Sequence, residues 1–99
     1  MLNKYTKSKR ADRDIIEITV RSLTDFGEQQ TIKYMDSLTE RLQWLADNTK
    51  DGSSYTHRRT GREYQYYNQG SHVIYYRQRK NDIFIVRILH KRMLPENHI

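Results

Sequence analysis

Apolar residues follow two different periods along the chain, and the first of them is helical. From Ser8 to Phe26 they recur at spacings of three and four residues, which is typical of an amphipathic helix with one buried face. Ser8 suits the N-cap, and Gly27 suits the helix end because glycine adopts left-handed backbone angles without strain. The stripe consists of Ala11, Ile15, Ile18, Ser22 and Phe26, widened by Ile16 and Leu23.

A second helix is predicted from Glu28 to Ala46. Its stripe is Ile32, Met35, Leu38, Leu42 and Leu45, flanked by Trp44 and Ala46. Glu28 near its start suits the helix dipole. Because only Gly27 separates the two segments, the sequence predicts an antiparallel helical hairpin.

After a polar stretch the pattern changes to that of strands. Three segments rich in β-branched and aromatic residues are predicted to pair antiparallel, and Lys80-Asn81-Asp82 supplies the turn between the last two. The last strand is apolar on both faces, with Ile83, Ile85 and Leu89 pointing one way beside Arg87, and Phe84, Val86 and Ile88 pointing the other, so it should be central. The predicted strands are Tyr64–Asn68, His72–Arg79 and Ile83–His90.

The remaining segments are less regular. Leu2 to Lys7 alternates weakly and suits a short N-terminal edge strand. Asp47 to Arg62 has no periodicity, carries the basic run of His57, Arg58, Arg59 and Arg62, and is predicted to be a loop. The tail, Lys91 to Ile99, contains the single proline and should leave the sheet as an irregular extension.

The predicted fold is therefore one α+β domain spanning residues 1–99, with the helical hairpin packed on a small antiparallel sheet. A single hairpin covers one face of that sheet. Only the tail and the middle loop remain for the other face, so the sequence predicts an exposed groove there. Its candidate lining is Tyr75, Tyr76, Phe84, Val86 and Ile88.

The charge indicates a class of partner. A net charge of +6 and a pI near 9.7 attract nucleic acid, an acidic protein face or an acidic disordered peptide. The competing interpretation is that basic stretches are solvated surface without a partner. The chain has no cysteine, which excludes disulfides and thiolate zinc sites. No apolar signal-peptide core or membrane-length segment is present, and a cytoplasmic location is expected.

Known catalytic signatures are not found. The sequence has no glycine-rich phosphate loop, paired-carboxylate signature or metal-ligand spacing, so no catalytic residue, metal or cofactor is predicted. His72 and His90 lie at strand ends, where a structural hydrogen-bonding role is favoured over acid–base chemistry. The eight tyrosines could stack on bases, but a structural role on the sheet is again favoured.

Two segments resemble the C-terminal half of ParE toxins of the ParE/RelE superfamily of bacterial type II toxin–antitoxin systems. The first runs from Gly70-Ser71-His72 to Arg77, and the second from Ile85 to Met93, followed by Pro95 and His98. The similarity extends back through the helical hairpin over nearly the whole chain.

The resemblance implies a toxin that inhibits DNA gyrase, blocks replication and has no catalytic activity of its own. It also implies a cognate antitoxin, expected to be acidic, with a segment that folds over the toxin. The expected target contacts are His90, Lys91, Arg92 and Met93, supported by Arg77 and Arg87, and the expected antitoxin contacts are the groove residues Tyr75, Tyr76, Phe84, Val86 and Ile88. Direct nucleic-acid binding is compatible with this function but not required by it.

Two alternatives stay open at the level of sequence. A RelE-like, ribosome-dependent mRNA endonuclease shares the fold, and Tyr75, Arg77, Arg87 and His90 would then converge on a phosphodiester. A plain RNA-binding module rests on charge and tyrosines alone. A gyrase inhibitor is favoured over both because the end of the last strand is ParE-like.

Overall fold

Two helices lie on one face of a five-stranded mixed sheet in the computed structural model, which describes residues 4–99. The sheet order is β1-β5-β4-β3-β2, with β1 parallel to β5 and all other neighbours antiparallel. The helices are α1 (Lys9–Phe26) and α2 (Glu28–Asp47), and the strands are β1 (Tyr5–Lys7), β2 (Ser53–Thr56), β3 (Glu63–Gln69), β4 (His72–Gln78) and β5 (Ile83–His90).

The helical hairpin confirms the sequence prediction. The Ser8 hydroxyl accepts a hydrogen bond from the Ala11 amide at 2.9 Å, which caps the first turn of α1. Gly27, with φ of 83°, joins the helices directly. At this φ a side chain would be strained, so glycine is the residue that allows so short a link.

All three predicted strands are present, and β5 lies between β4 and β1 as a central strand. The predicted N-terminal edge strand exists as β1, in which Tyr5 pairs with Ile83 and Lys7 with Ile85. It is parallel to β5, so the sheet is mixed rather than wholly antiparallel. Leu2, the first residue of the predicted strand, lies outside the described residues.

A β-bulge at Val86 changes which side chains of β5 face the helices. Tyr76 is opposite Ile85 and Tyr75 is opposite Arg87, so Val86 has no partner on β4. Because β5 has one extra residue at the bulge, the side chains that follow it point to the opposite face of the sheet from the one that strict alternation would give. Ile88 therefore joins Ile83 and Ile85 in the core under the helices, and Leu89 packs on the other face. The predicted grouping of Leu89 with Ile83 and Ile85 was wrong for this reason.

The main core lies between the hairpin and the sheet. Leu38, Leu42 and Leu45 of α2 are almost fully buried there, together with Ala11 and Ile18 of α1. The sheet contributes Ile74, Tyr76, Ile83, Ile85 and Ile88. Four residues assigned to the helical stripes, Ile16, Leu23, Phe26 and Ile32, are instead exposed.

The second face of the sheet is covered by the tail. Met93 and Ile99 pack against a smaller cluster of Val73, Tyr75 and Leu89, and Tyr55 and Tyr66 complete it. A short 3-10 turn, Pro95–Asn97, redirects the chain across this face. The prediction that the tail leaves the sheet was wrong, because the apolar residues on this face require a cover.

The segment predicted as a loop contains a fifth strand. Residues Ser53–Thr56 form β2, with Tyr55 opposite Tyr64 on β3. Before it, the turn Thr49–Asp51 presents the Thr49 carbonyl to donors from Gln65, Tyr76 and Gln78. β2 has one aromatic residue and three small polar ones, so its sequence carries no alternation of apolar residues.

Candidate functional site

The predicted target-binding residues His90 to Met93 lie together at the upper end of the sheet, where β5 ends and β4 begins. His90 pairs with His72 across the two strands, and their rings meet edge to face at 5.5 Å between centroids. The Lys91 amide donates to the Ser71 carbonyl at 3.0 Å, and the Met93 amide donates to the His90 carbonyl at 2.8 Å. The chain thus turns sharply at a fixed position and leaves Lys91 and Arg92 exposed.

Tyr34 of α2 fixes the ring of His72. Its hydroxyl lies 2.9 Å from the Gln69 carbonyl and 2.6 Å from His72 Nδ1. A carbonyl only accepts, so the Tyr34 hydroxyl donates to Gln69 and His72 Nδ1 donates to Tyr34. Burial lowers the pKa of His72, and the nearby His90 lowers it further. His72 is therefore neutral at pH 7, and Nε2 is its acceptor nitrogen.

The contact of Tyr34 with the turn before β4 explains why the sequence there is Gly70-Ser71-His72. Gly70 has φ of 55°, and a Cβ there would come within 2.6 Å of the Tyr34 ring. Both the left-handed turn and the close approach therefore require glycine. The same turn brings the Ser71 carbonyl to the Lys91 amide, so this sequence holds the exit of β5 in place.

An open groove of about 930 Å³ adjoins this end of the sheet. It runs between the second half of α1 and the upper ends of β4 and β5, and we call it the α1–β5 groove. Its walls are of mixed chemistry, with Ile18, Phe26 and Met93 beside His72, His90 and Arg92. Such a groove suits a polypeptide with both apolar and polar side chains more than a small apolar ligand.

One side of α1 exposes apolar residues to solvent. Ile16, Val20, Leu23 and Phe26 are 62%, 58%, 46% and 70% exposed, at spacings of four, three and three residues. These spacings place them on one side of the helix, which we call the α1 apolar face. Ile32 of α2 is also 53% exposed. An exposed apolar row of this kind is typical of a protein-binding surface.

Comparisons with known proteins agree with this architecture. The family model described as "ParE toxin of type II toxin-antitoxin system, parDE" matches residues 5–95. The chain belongs to the ParE toxin family. The curated protein "Toxin ParE1" of Caulobacter vibrioides is 29% identical over 98 residues, which is 99% of either chain.

A solved structure, "Chromosomal ParDE TA system from P. aeruginosa", superposes on this ParE-family toxin with a TM-score of 0.74. The match covers 90% of this chain and 96% of that one at 15% identity, and so supports the fold. Family membership makes this protein the toxin of a type II toxin–antitoxin system, whose partner is a cognate antitoxin.

The two supporting arginines of the predicted target site lie elsewhere on the ParE fold. Arg77 is exposed at the opposite end of β4, five residues or about 17 Å from His72, with its guanidinium 5.4 Å from the Phe84 ring. Arg87 donates two hydrogen bonds to the buried Asp14 and one to the His98 carbonyl. Its charge is therefore used inside the protein, and the Asp14 carboxylate raises the pKa of Arg87.

The predicted antitoxin groove on the sheet is not open. Tyr76 and Ile88 are buried in the main core, and Tyr75 is buried under the tail. Only Phe84 and Val86 remain half-buried. The cause is the bulge together with the folded-back tail, neither of which the sequence pattern predicted. Most of the large exposed apolar residues lie on α1 instead. The sequence signal for this was a helix with more apolar positions than one buried stripe requires.

Within residues 4–99, neither helix is apolar enough over its length to cross a membrane. The same described residues contain no group of three or more histidine, aspartate or glutamate side chains arranged to hold a metal ion.

Proposed function

We propose that this ParE-family toxin inhibits DNA gyrase by binding, with His90, Lys91, Arg92 and Met93 as its target contacts. The observation that carries the proposal is the exit of β5, where a rigid turn displays two exposed cations. Among the described residues, neither Lys91 nor Arg92 forms an ion pair. Cations that are held in position but unpaired are available to an anionic partner. From the resemblance to ParE toxins we infer that this partner is gyrase.

Arg77 and Arg87 have different roles in this proposal. Arg87 is a positioning residue, because it holds the tail through the His98 carbonyl at 2.6 Å. Arg77 lies too far from His90 to join the same contact and belongs to another surface.

The geometry disfavours a RelE-like nuclease built on the residues that the sequence indicated. A phosphodiester would have to meet Tyr75, Arg77, Arg87 and His90 at once. Tyr75 is buried beneath the tail, Arg87 is paired with Asp14, and Arg77 lies at the other end of the sheet. These groups cannot act on one phosphate without rearrangement of the core.

We further infer that the antitoxin binds the α1 apolar face and the adjoining α1–β5 groove. A segment that folds on binding must bury apolar surface to offset the entropy it loses. Four exposed apolar residues in one row provide that surface, and the groove beside them provides polar partners. Phe84 and Val86 lie on β5, outside this surface.

The function is tested by measuring gyrase supercoiling and DNA cleavage with purified toxin, beside in vitro translation. We expect wild-type toxin to inhibit supercoiling and leave translation unaffected. The Lys91→Ala/Arg92→Ala variant should lose inhibition while keeping its fold and antitoxin binding. Lys9→Ala/Arg13→Ala removes two exposed cations from α1 as a matched control. Full inhibition by the Lys91/Arg92 variant, or arrest of translation by the wild type, would overturn the proposal.

A further inference from the structure

The net positive charge of this protein belongs to the second half of the chain, which forms β2 to β5 and the tail. Residues 1–51 contain nine lysines and arginines and nine aspartates and glutamates. Residues 52–99 contain nine basic and only three acidic residues, so the entire net charge of +6 belongs to them. Two of those acidic residues, Asp82 and Glu96, are already paired with Arg79 and Arg58.

Five of these nine cations lie in two neighbouring loops at the lower end of the sheet, and a sixth, Arg77, lies beside them near the end of β4. Thr56 pairs with Glu63, and the His57 amide continues that ladder by donating to the Arg62 carbonyl at 2.8 Å. Gln65 is opposite Tyr76, so the loop before β3 and the hairpin after β4 project from the same end, about 4.8 Å apart from strand to strand. We call this set the lower basic surface; it consists of Arg58, Arg59, Arg62, Arg77, Arg79 and Lys80, all exposed.

A buried histidine makes the first of these loops rigid. His57 is only 3% exposed, and its Nδ1 accepts the amides of Arg59 at 3.1 Å and Thr60 at 3.3 Å. A ring nitrogen that accepts carries no proton, so Nε2 bears it and donates to the Ile99 carbonyl at 3.1 Å. Gly61, with φ of 73°, completes the turn. The loop is therefore held in one shape, in which Arg58, Arg59 and Arg62 are exposed and Arg58 and Arg59 also contact Glu96 and Asn97 of the tail.

The second loop is also fixed. Asp82, itself buried, binds Arg79 through two hydrogen bonds of 2.7 and 2.6 Å and accepts a third from Thr6. Arg79 and Arg77 both lie over the Phe84 ring, at 4.5 and 5.4 Å. Cations that are positioned before binding lose little entropy when a ligand arrives.

Among the described residues, the two loops of the lower basic surface have no large exposed apolar side chain, and this distinguishes DNA from an acidic peptide as the anionic partner. Over residues 4–99, the large exposed hydrophobic residues are on the helices and at Leu94, and none belongs to either loop. An acidic peptide that folds on binding needs apolar contacts, whereas the DNA backbone is bound largely through its phosphates.

We propose that the lower basic surface binds the phosphate backbone of DNA, so that the toxin contacts the DNA of its target complex as well as the protein. Contact with the DNA of the target complex rests on the proposed gyrase function, whereas binding of DNA phosphates as such does not. The surface is separate from the exit of β5, which lies at the opposite end of β4.

The test is fluorescence anisotropy of a labelled 20-base-pair duplex, titrated with full-length toxin at several NaCl concentrations. Each phosphate contact contributes about 0.9 to the slope of log affinity against log salt. Arg58→Ala/Arg59→Ala/Arg62→Ala should reduce that slope by about 2 to 3 and weaken binding at least about tenfold. Arg77→Ala/Lys80→Ala, which leaves the first loop intact, should reduce the slope by about 1 to 2.

Lys9→Ala/Arg13→Ala/Lys33→Ala is the matched control, since it removes three exposed cations from the helices. We expect it to bind DNA nearly as the wild type does. An equal loss in this control, or unchanged binding by both loop variants, would overturn the proposal. Tight binding of polyglutamate with no binding of the duplex would also overturn it, in favour of an acidic protein partner.

A gyrase assay separates this inference from the proposed function. If wild-type toxin binds DNA through these loops but leaves supercoiling unaffected, the DNA-binding surface stands and the gyrase proposal fails. If the Arg58/Arg59/Arg62 variant loses DNA binding but inhibits gyrase fully, the contact with DNA in the target complex is refuted.

Discussion

The carboxylate of Asp14 on α1 accepts hydrogen bonds from Nε and Nη2 of Arg87 on β5, at 2.8 and 2.9 Å. The same carboxylate accepts a hydrogen bond from the Ile88 amide at 2.9 Å. Ile88 lies past Ile85, the residue at which the pairing of β5 with β1 ends. The remaining Nη1 of Arg87 donates to the His98 carbonyl. One buried ion pair thus joins the first helix, the central strand and the tail.

Breaking this pair should destabilise the toxin strongly. Arg87→Ala leaves the buried Asp14 carboxylate without its cation, which typically costs about 3–5 kcal/mol. Urea denaturation of wild type and variant measures the loss. Asp12→Asn is the control, because Asp12 pairs with Lys7 at the surface and should contribute under about 1 kcal/mol. Equal losses in the two variants would contradict the structural role of the buried pair.

The packing of α2 on the sheet gives a second stability prediction. Leu42 is 2% exposed within the main core, so Leu42→Ala should cost about 2–5 kcal/mol in the free energy of unfolding. Ile32→Ala on the same helix should cost under about 1 kcal/mol, since Ile32 is exposed. Denaturant melts of both variants test the prediction, which fails if Leu42→Ala costs no more than Ile32→Ala.

Antitoxin binding should depend on the α1 apolar face. Replacing Val20 and Leu23 by aspartate puts two charges where an apolar contact is expected, and should weaken binding of the cognate antitoxin by about 30-fold or more. Thermal melts of the free toxin should change little, because both side chains are exposed. Isothermal titration with antitoxin makes the measurement.

Ser37→Asp, at an exposed polar position of α2, is the matched control for the antitoxin measurement. It should bind antitoxin normally. If the Val20/Leu23 variant binds as tightly as this control, the antitoxin contacts lie elsewhere on the toxin.

The half-buried His72 should make stability depend on pH. Because burial lowers its pKa below the usual value near 6.5, the native state binds a proton less readily than the unfolded chain. Its contribution is complete above about pH 6.5 and is lost as the pH falls below that value toward the folded pKa.

Urea midpoints between pH 4.5 and 8 test this dependence. His72→Gln cannot titrate and should flatten the decrease between pH 6.5 and 5. His98→Gln, which removes a tail histidine and keeps His72, is measured beside it for comparison. Identical profiles for His72→Gln and the wild type would exclude His72 as the source.

Local signals made much of the fold predictable. Ser8, Gly27 and the apolar spacing of α2 act within one or two turns, so the sequence indicates their roles directly. β2 was missed because its pairing with β3, rather than its own pattern, makes Ser53–Thr56 a strand. The covering of the second face by Met93 and Ile99 depends on contacts distant in sequence, which no period reveals.

The candidate site was predicted in part. His90, Lys91, Arg92 and Met93 are consecutive in the sequence, so the prediction that they lie together where β5 ends needed only the end of that strand. Arg77 and Arg87 were grouped with them without knowledge of the bulge at Val86 or of the buried Asp14. The exposure of Ile16, Leu23 and Phe26 could not be inferred, because a core stripe and a binding face have the same spacing on one helix.

The parallel pairing of β1 with β5 affects the order of folding during synthesis. Tyr5 pairs with Ile83, and the Ser8 hydroxyl donates to the Val86 carbonyl at 2.7 Å, 78 positions later in the chain. Contacts so distant in sequence form late. The start of α1 therefore stays unanchored until β5 has emerged from the ribosome, and a nascent chain that stops short of β5 cannot complete either the sheet or the exit turn. Toxicity should accordingly be confined to chains whose translation has passed the last strand.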